Sequence, residues 1–366
     1  MSDALATPVR ISSEPVQLQA LEPMLEKVRQ SVADVPALLA VSAEIGRTAP
    51  QPGEGNTAKL WELLASVTSV DVAAGRILEP HLDAVGILAQ AGMDQPAGAW
   101  GVFAAEGPGL KLTADRDESG AIVLNGSKPW CSLAAHLDGA VITAHTANGT
   151  RAAFAVDLRH PGVSVETPAW TSRGLKEIPS GTVHFDHVPA AEVGGDDWYF
   201  QRPGFAWGGM GVAACWLGGA VAVARDYRNA LSKAADNGRE PDQIALASLG
   251  EVDRIITSAT GYLAQAAERI DAGRLDRPAT AGGVPDDDGA ADNSAWSEAL
   301  RVRGTVASAV ERVMALVSQN RGPAPLAFDE TYGKRMADLA LYVRQHHAMR
   351  DDAQLGSMAL KGDTGW

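Results

Sequence analysis

Between Asn125 and Ser132 the chain reads Asn-Gly-Ser-Lys-Pro-Trp-Cys-Ser, so the ring of Trp130 and the hydroxyl of Ser132 stand two residues apart. In an extended strand that spacing puts both side chains on one face. Asn125-Gly126 is a turn signal, and a strand that ends in that turn delivers ring and hydroxyl to one place. The alternative is a tryptophan packed in the core and a serine that caps a turn. Cys131 has no basic residue adjacent to it in sequence, which makes it a packed thiol rather than a nucleophile. Near the other end of the chain, His346 and His347 carry side chains whose ordinary pKa lies near neutrality, so either could move a proton. Neighbours on a helix point in different directions, so the two cannot serve one site together. They make poor joint metal ligands, and neither His-Glu-x-x-His nor Cys-x-x-Cys spacing occurs elsewhere, so no metal is expected. A polar stripe on a helix is the other reading of the pair.

These groups need elements to hold them. From Trp100 onward short runs alternate at Gly101–Ala105, Leu110–Ala114, Ala121–Leu124, Ala140–Ala144, Ala152–Val156, Val163–Glu166 and Thr182–Phe185. Turn signals at Ser119-Gly120, Asn125-Gly126, Asn148-Gly149 and Pro161-Gly162 separate them, which predicts an antiparallel barrel or sandwich. No Gly-x-Gly-x-x-Gly opens a helix, so a Rossmann site is not indicated. Helical spacing flanks this middle. It covers residues 17–45 in pieces broken by Pro23 and Pro36, then Thr57–Ala91 as two helices closed by Gly92. Gly211–Lys233, Pro241–Ala272, Ser297–Asn320 and Thr331–Leu360 supply four long helical segments, enough for a bundle. Residues 1–16 read as an unstructured lead, and Asp271–Asn293, rich in Gly, Pro and Asp, as a disordered surface loop. The expected fold class is α+β and multidomain: an N-terminal α-helical domain over 1–98, a middle antiparallel β-barrel domain over 99–200, and a C-terminal four-helix bundle over 201–366.

Composition bounds the partners. The chain has 366 residues, 46% hydrophobic and 21% charged, so it can bury a core. A net charge of -14 argues against nucleic acid and anionic membranes as main partners. Two cysteines form no disulfide framework, and Asp3 and Glu14 interrupt any leader pattern, so a reducing cytoplasm is expected. Pro203–Ala224 carries no charge and is long enough to cross a bilayer, but its many Gly and Ala residues suit a buried helix better.

Several local motifs then line up in order. Phe103-Ala-Ala-Glu106-Gly-Pro108 resembles the stretch after the first strand of the acyl-CoA dehydrogenase family, which contacts flavin and substrate. Leu124-Asn-Gly-Ser-Lys-Pro-Trp-Cys-Ser132 resembles that family's flavin-contacting Trp motif. His160-Pro-Gly-Val163 and His184-Phe-Asp-His-Val-Pro189 are similar to its later β-domain signatures. Gln319-Asn-Arg-Gly322 is similar to the motif that reaches the FAD pyrophosphate of a neighbouring subunit. The resemblance implies FAD as cofactor, held by Phe103, Ala105, Glu106, Trp130, Cys131, Ser132, Gln319 and Gly322. It also implies a homo-oligomer (dimer or tetramer), an acyl-CoA substrate and an electron-transfer flavoprotein as a candidate partner. The implied reaction is α,β-desaturation of an acyl thioester, with a base taking the α proton and the flavin accepting the hydride.

Departures from the pattern open alternatives. Ala105 stands where the family has a Thr, the following Gly-Ser-Asp is missing, and no Arg-x-x-Phe-Gly occurs around Arg228–Ala235. Many members place a catalytic Glu eight residues after an Asp; counting from Asp338 reaches His346 instead. His346 is thus the candidate base, with Asp351, Asp352 and Glu251 behind it. A flavin-dependent monooxygenase on the same fold, or an inactive partner subunit, are the other readings. Arg344 and Arg350 could hold a CoA phosphate or simply decorate a helix.

Overall fold

The computed structural model describes residues 7–12, 18–95, 97–167, 169–276, 294–364 and 366. Four helices come first: α1 (Glu22–Gln30), α2 (Val35–Gly46), α3 (Thr57–Val70) and α4 (Val72–Gln90). Asp71 joins the last two and caps α4, its carboxylate accepting the Ala74 N–H at 2.9 Å. Gly92, at φ +71°, closes α4 while the Met93 N–H reaches back to the Leu88 carbonyl at 2.9 Å.

Eight strands follow: β1 (Trp100–Phe103), β2 (Leu112–Arg116), β3 (Ile122–Ser132), β4 (Gly139–Thr146), β5 (Arg151–Asp157), β6 (Val163–Val165), β7 (Ser180–Pro189) and β8 (Ala191–Val193). They form one sheet in the order β6-β7-β3-β2-β4-β5-β8, with β1 also on β4. The expected helical, β and helical order holds, and the sheet differs from the expectation in one detail: it is mixed rather than wholly antiparallel. β1 and β2 both run parallel to β4, at its residues 139–142 and 145–146 respectively. Alternation along a run reports which face is buried, not the direction of the partner strand. A second correction concerns Asn125-Gly126. The pair lies inside β3, where the register to β7 shifts between Leu124 and Gly126. Gly126 sits at φ +111°, and a Cβ there would stand 2.2 Å from the Lys111 carbonyl oxygen. The glycine serves a bulge and a close backbone approach, not a hairpin.

After a short α5 (Trp198–Gln201) come α6 (Pro203–Asp236), α7 (Gln243–Asp271), α8 (Ala295–Arg321), α9 (Pro323–Phe328), α10 (Glu330–Tyr342) and α11 (Met349–Leu360). The uncharged start of α6 is the one described helix long and apolar enough to cross a membrane, and it is mostly buried among other helices. The predicted last helix is two helices. Residues 343–345 make a 3-10 turn and Ala348 takes φ +50°, so the chain breaks around His346.

Two other expectations change. Residues 7–12 are not loose: Val9 and Ile11 are buried on α3, and Glu62 Oε1 accepts the Ile11 N–H at 3.0 Å and the Ser12 N–H at 2.8 Å. Two apolar side chains and a run of polar backbone were too short a signal for any periodicity test. Asp271, expected to open a disordered loop, accepts the Thr57 N–H at 3.0 Å and the Thr57 hydroxyl at 2.6 Å, so it caps α3 from across the bundle. The rest of that loop, 277–293, lies outside the described residues, as do 1–6 and 13–16 of the lead.

α4 is the element shared by helices and sheet. Its Ala84, Ile87 and Leu88 pack on Val141, Ala153 and Val193 of the sheet, while Ile77, Leu78 and Leu82 join the main helical core. Whatever projects from the intervening face of α4 therefore points into the junction between the two layers.

Candidate active site

β3 carries Ser132 to that junction and leaves Trp130 at the surface two residues before it. A bulge between Lys128 and Cys131 interrupts the pairing with β7, and Trp130 takes φ +58°. For a bulky side chain this is a true backbone outlier, the kind that clusters where a ligand is held. Trp130 is 62% exposed, so much of its apolar ring faces outward. Ser132 is fixed from two sides. Arg76 of α4 donates from Nη2 to Ser132 Oγ at 3.2 Å, and Ser180 Oγ lies 2.7 Å away. A hydroxyl accepts twice and donates once, so when Ser180 donates, the Ser132 O–H remains free to point outward. Cys131, between them, is buried with its Sγ 3.3 Å from the Lys128 carbonyl, and burial pushes its pKa up to about 12, so it stays a thiol.

Glu106 lies in the gap that β1 and β2 leave along β4, and it is an anchor. Lys128 Nζ donates to its Oε1 at 2.7 Å and to Thr143 Oγ1 at 3.0 Å; Arg151 Nη2 reaches the same two oxygens at 2.9 and 2.8 Å. Burial would raise the Glu106 pKa, but the Lys128 hydrogen bond and the Lys128 and Arg151 charges outweigh it and hold the carboxyl low. Phe103 is buried at the end of β1, and Ala105 is exposed beside Glu106.

Arg76 leads from the sheet into the helices. Its guanidinium stands 5.9 Å from the ring of Tyr342, at the end of α10. Tyr342 packs edge-on to Trp216 of α6, which packs in turn on the imidazole of His346 at 6.5 Å. Arg303 of α8 stacks on Trp216 and donates to the Gln345 carbonyl at 2.7 Å, which pins the chain break beside His346. His346 is 9% exposed and its Nε2 makes no hydrogen bond; Asp351 Oδ2, 3.7 Å away, is an ionic neighbour only. Burial holds the His346 pKa below its ordinary value despite Asp351, so the ring is neutral near pH 7. The Tyr342 hydroxyl is likewise buried, close to Glu79 and Cys215, and burial holds it protonated.

Sequence reasoning passed over α4. Arg76, Glu79 and Asp83 are charges on a helix that is otherwise nearly all apolar, at spacings of three and four, which is the signal that could have found them. Glu79 and Asp83 line a cavity of about 40 Å³ with Arg202, Trp61 and Trp207. Burial, against Arg76 and aided by Asp83, pushes the Glu79 carboxyl up to about 7. Its ordinary value is 4.5, so the folded state binds this proton more tightly than the unfolded chain. Folding then loses stability as pH rises from 4.5 to 7, by at most about 3 kcal/mol. Glu79→Gln is expected to melt higher than wild type at pH 8 by about 5 °C, with a smaller gap at pH 5. Equal gaps in melting scans at the two pH values would refute this.

Other residues singled out from the sequence stand elsewhere. Glu251 pairs with Arg312 at 2.8 Å on the bundle surface. Arg344 is paired with Glu311. Asp352 is exposed, though a Cβ at Gly304 would lie 3.6 Å from both its Oδ1 and His346 Nε2. Gln319 is fifteen residues beyond Gly304 along α8, about 22 Å at 1.5 Å per residue. Gln319 and Gly322 therefore do not join Ser132 and His346 within one chain.

This geometry defines a class: a helix–sheet–helix protein with a largely exposed tryptophan on its sheet and titratable side chains, Glu79, Tyr342 and His346, among its helices. Residues 106–188 match the family model described as acyl-CoA dehydrogenase, middle domain. That stretch carries the family's middle domain, and the chain as a whole has an acyl-CoA dehydrogenase-like fold. Among solved structures, KijD3 in complex with FMN and a dTDP-sugar superposes with a TM-score of 0.75 at 17% identity, covering 99% of this chain and 97% of that one. TdsC from Paenibacillus sp. A11-2, solved with FMN and indole, gives 0.74 at 16%, covering 94% and 96%. Butyryl-CoA dehydrogenase from Megasphaera elsdenii gives 0.73 at 15%, covering 93% and 94%. At such identities the likeness establishes fold alone. No curated protein sequence matches the chain significantly.

Proposed function

We propose that the chain is a flavin-dependent oxidoreductase of the oxygenating kind, acting on a polar small molecule. One observation carries the flavin reading: Trp130, largely exposed and held at a strained backbone angle, beside a Ser132 hydroxyl fixed by Arg76 and Ser180. A flat ring system fits that face and that donor. A bound flavin would supply the two-electron redox chemistry. Around it, Trp130 would cover one face, Ser132 would donate to an edge, and Arg76 would favour negative charge there. His346 and Glu79 would exchange protons, and Tyr342 would donate. FMN would ask for a phosphate site besides the ring, whereas the adenosine of FAD would in addition call on Gln319–Gly322 of a second copy, and so on a homo-oligomer.

The oxygenating reading rests on the lining behind Ser132. Glu79, Asp83 and Arg202 border a small cavity beside α4, and the Arg76 and Arg303 charges act on Glu79, so an acyl chain placed there would be set against charged groups. The chain break on α10–α11 offers a neutral His346 rather than a Glu. TdsC, described as a dibenzothiophene monooxygenase, shares the fold, in support. A second reading keeps acyl-CoA desaturation. The carboxyl of Glu79, poised near 7, is what favours it, and Glu79 would then replace His346 as the base.

The test starts with purified protein and added FMN or FAD. A characteristic flavin spectrum is expected, and Trp130→Ala is expected to weaken binding about tenfold. Oxygen uptake that depends on a supplied flavin reductase supports oxygenation. Anaerobic bleaching by an acyl-CoA panel, abolished in Glu79→Gln, would move the assignment to desaturation. A chain that takes up neither flavin would sink both.

A further inference from the structure

We propose that Lys334 is the positioning residue of this site, a single ammonium that ties α10 to the two elements gripping Ser132; the inference rests on the flavin reading above. Lys334, on α10, places Nζ 2.9 Å from Asp71, 2.9 Å from Glu177 and 2.6 Å from Asp338. Each carboxylate belongs to a different part of the site. Asp71 caps α4, the helix that carries Arg76 and Glu79. Asp338 lies on α10, which ends at Tyr342 and leads to His346, and its Oδ1 accepts the Leu175 N–H at 2.6 Å. Glu177 belongs to the segment between β6 and β7. That segment runs on to Pro179, whose carbonyl accepts the Leu133 N–H at 3.0 Å, and to Ser180, whose hydroxyl touches Ser132 at 2.7 Å.

The three carboxylates could not meet without a cation. One oxygen from each lies within 4.8 Å of the others, and Asp71 and Asp338 are 8% and 1% exposed. Unneutralised, they would repel one another in a medium that screens poorly. The segment's approach is close as well: a Cβ at Gly174 would stand 2.0 Å from the Ala337 carbonyl oxygen, and Leu175 takes φ +48°. With the ammonium in place, α4, α10 and 174–180 are held in one register. The Ser132 hydroxyl, gripped by Arg76 from α4 and by Ser180 from the segment, inherits that register.

The experiment compares wild-type protein with Lys334→Met, Lys334→Ala and Lys334→Arg, well below each melting temperature, by visible spectrum and by Kd for FMN. Lys334→Met is expected to bind FMN at least about tenfold more weakly with a shifted spectrum, and Lys334→Arg to restore most of both. Millimolar Mn²⁺ is expected to restore Lys334→Ala, because the vacated carboxylates then offer oxygen ligands to a divalent ion, and to leave wild type unchanged. If Lys334→Met does not fold, Glu177→Gln, which keeps the ammonium and removes one anchor, is expected to weaken FMN severalfold. Flavin affinity and spectrum unchanged in the folded variants, or loss that neither arginine nor Mn²⁺ repairs, would overturn the inference while the flavin reading stands. A wild-type chain without flavin uptake would overturn that reading itself.

Discussion

Replacing Glu106 by alanine should cost about 3 kcal/mol, the low end of what breaking a buried ion pair costs. The low end applies because the Glu106 side chain is itself 41% exposed. What matters is the partner left behind. Lys128 is 2% exposed, with its ammonium between Glu106 and the Thr143 hydroxyl. Arg151 Nη2 approaches the same two oxygens. Without the carboxylate two cations face each other in a desolvated gap, and Thr143 can satisfy only part of them. The strand most affected is β3, whose Lys128 lies two residues before Trp130, so flavin binding should fall together with stability. A double variant decides the cause. Glu106→Ala with Lys128→Met removes both charges and should recover part of the lost stability. If the double variant melts below the single one, the charge argument is wrong and Glu106 acts by packing.

The second large effect concerns two helices rather than a charge. Gly218 of α6 packs against α3 so closely that a Cβ would lie 2.1 Å from the Ala65 carbonyl oxygen and 2.7 Å from its carbon. Backbone cannot rotate aside as a side chain can. Gly218→Ala must push α3 from α6, and overpacking of this kind costs about 1–3 kcal/mol or more. Helix propensity works the other way, favouring alanine by about 1 kcal/mol. The clash should win, with a net loss of up to about 2 kcal/mol and a melting temperature lower by about 5 °C. Gly250 on α7 is the internal control, since nothing lies within 4 Å of a Cβ there. The same substitution at Gly250 should raise the melting temperature. Loss at both positions would show that the glycines act through something other than close approach.

Most of the element content could be read from periodicity. The runs expected from Gly101 to Phe185 each fall on a strand, and each long helical segment falls on a helix. The misses have separable causes. Val9 and Ile11 are held by Glu62 and Ser66 of a distant helix, and β8 is three residues long, so neither has a local pattern to detect. The last helix breaks at His346 although its composition is helical throughout, because Arg303 and Asp351 from other turns hold the break. Periodicity alone puts His346 on a helix face, whereas it occupies a bend.

What the amino-acid order determined by itself was the set of alternating and helical segments and the family resemblance of the middle stretch. These are properties of residues near one another in the chain, where sterics and side-chain spacing act. Tertiary structure alone decided that β1 and β2 run parallel to β4, that Arg76 grips Ser132, and that Glu79 faces a cavity. It alone brought three carboxylates from separate elements onto one lysine. Those outcomes depend on which surfaces are desolvated together, and burial is a property of the packed molecule that no short stretch of residues carries.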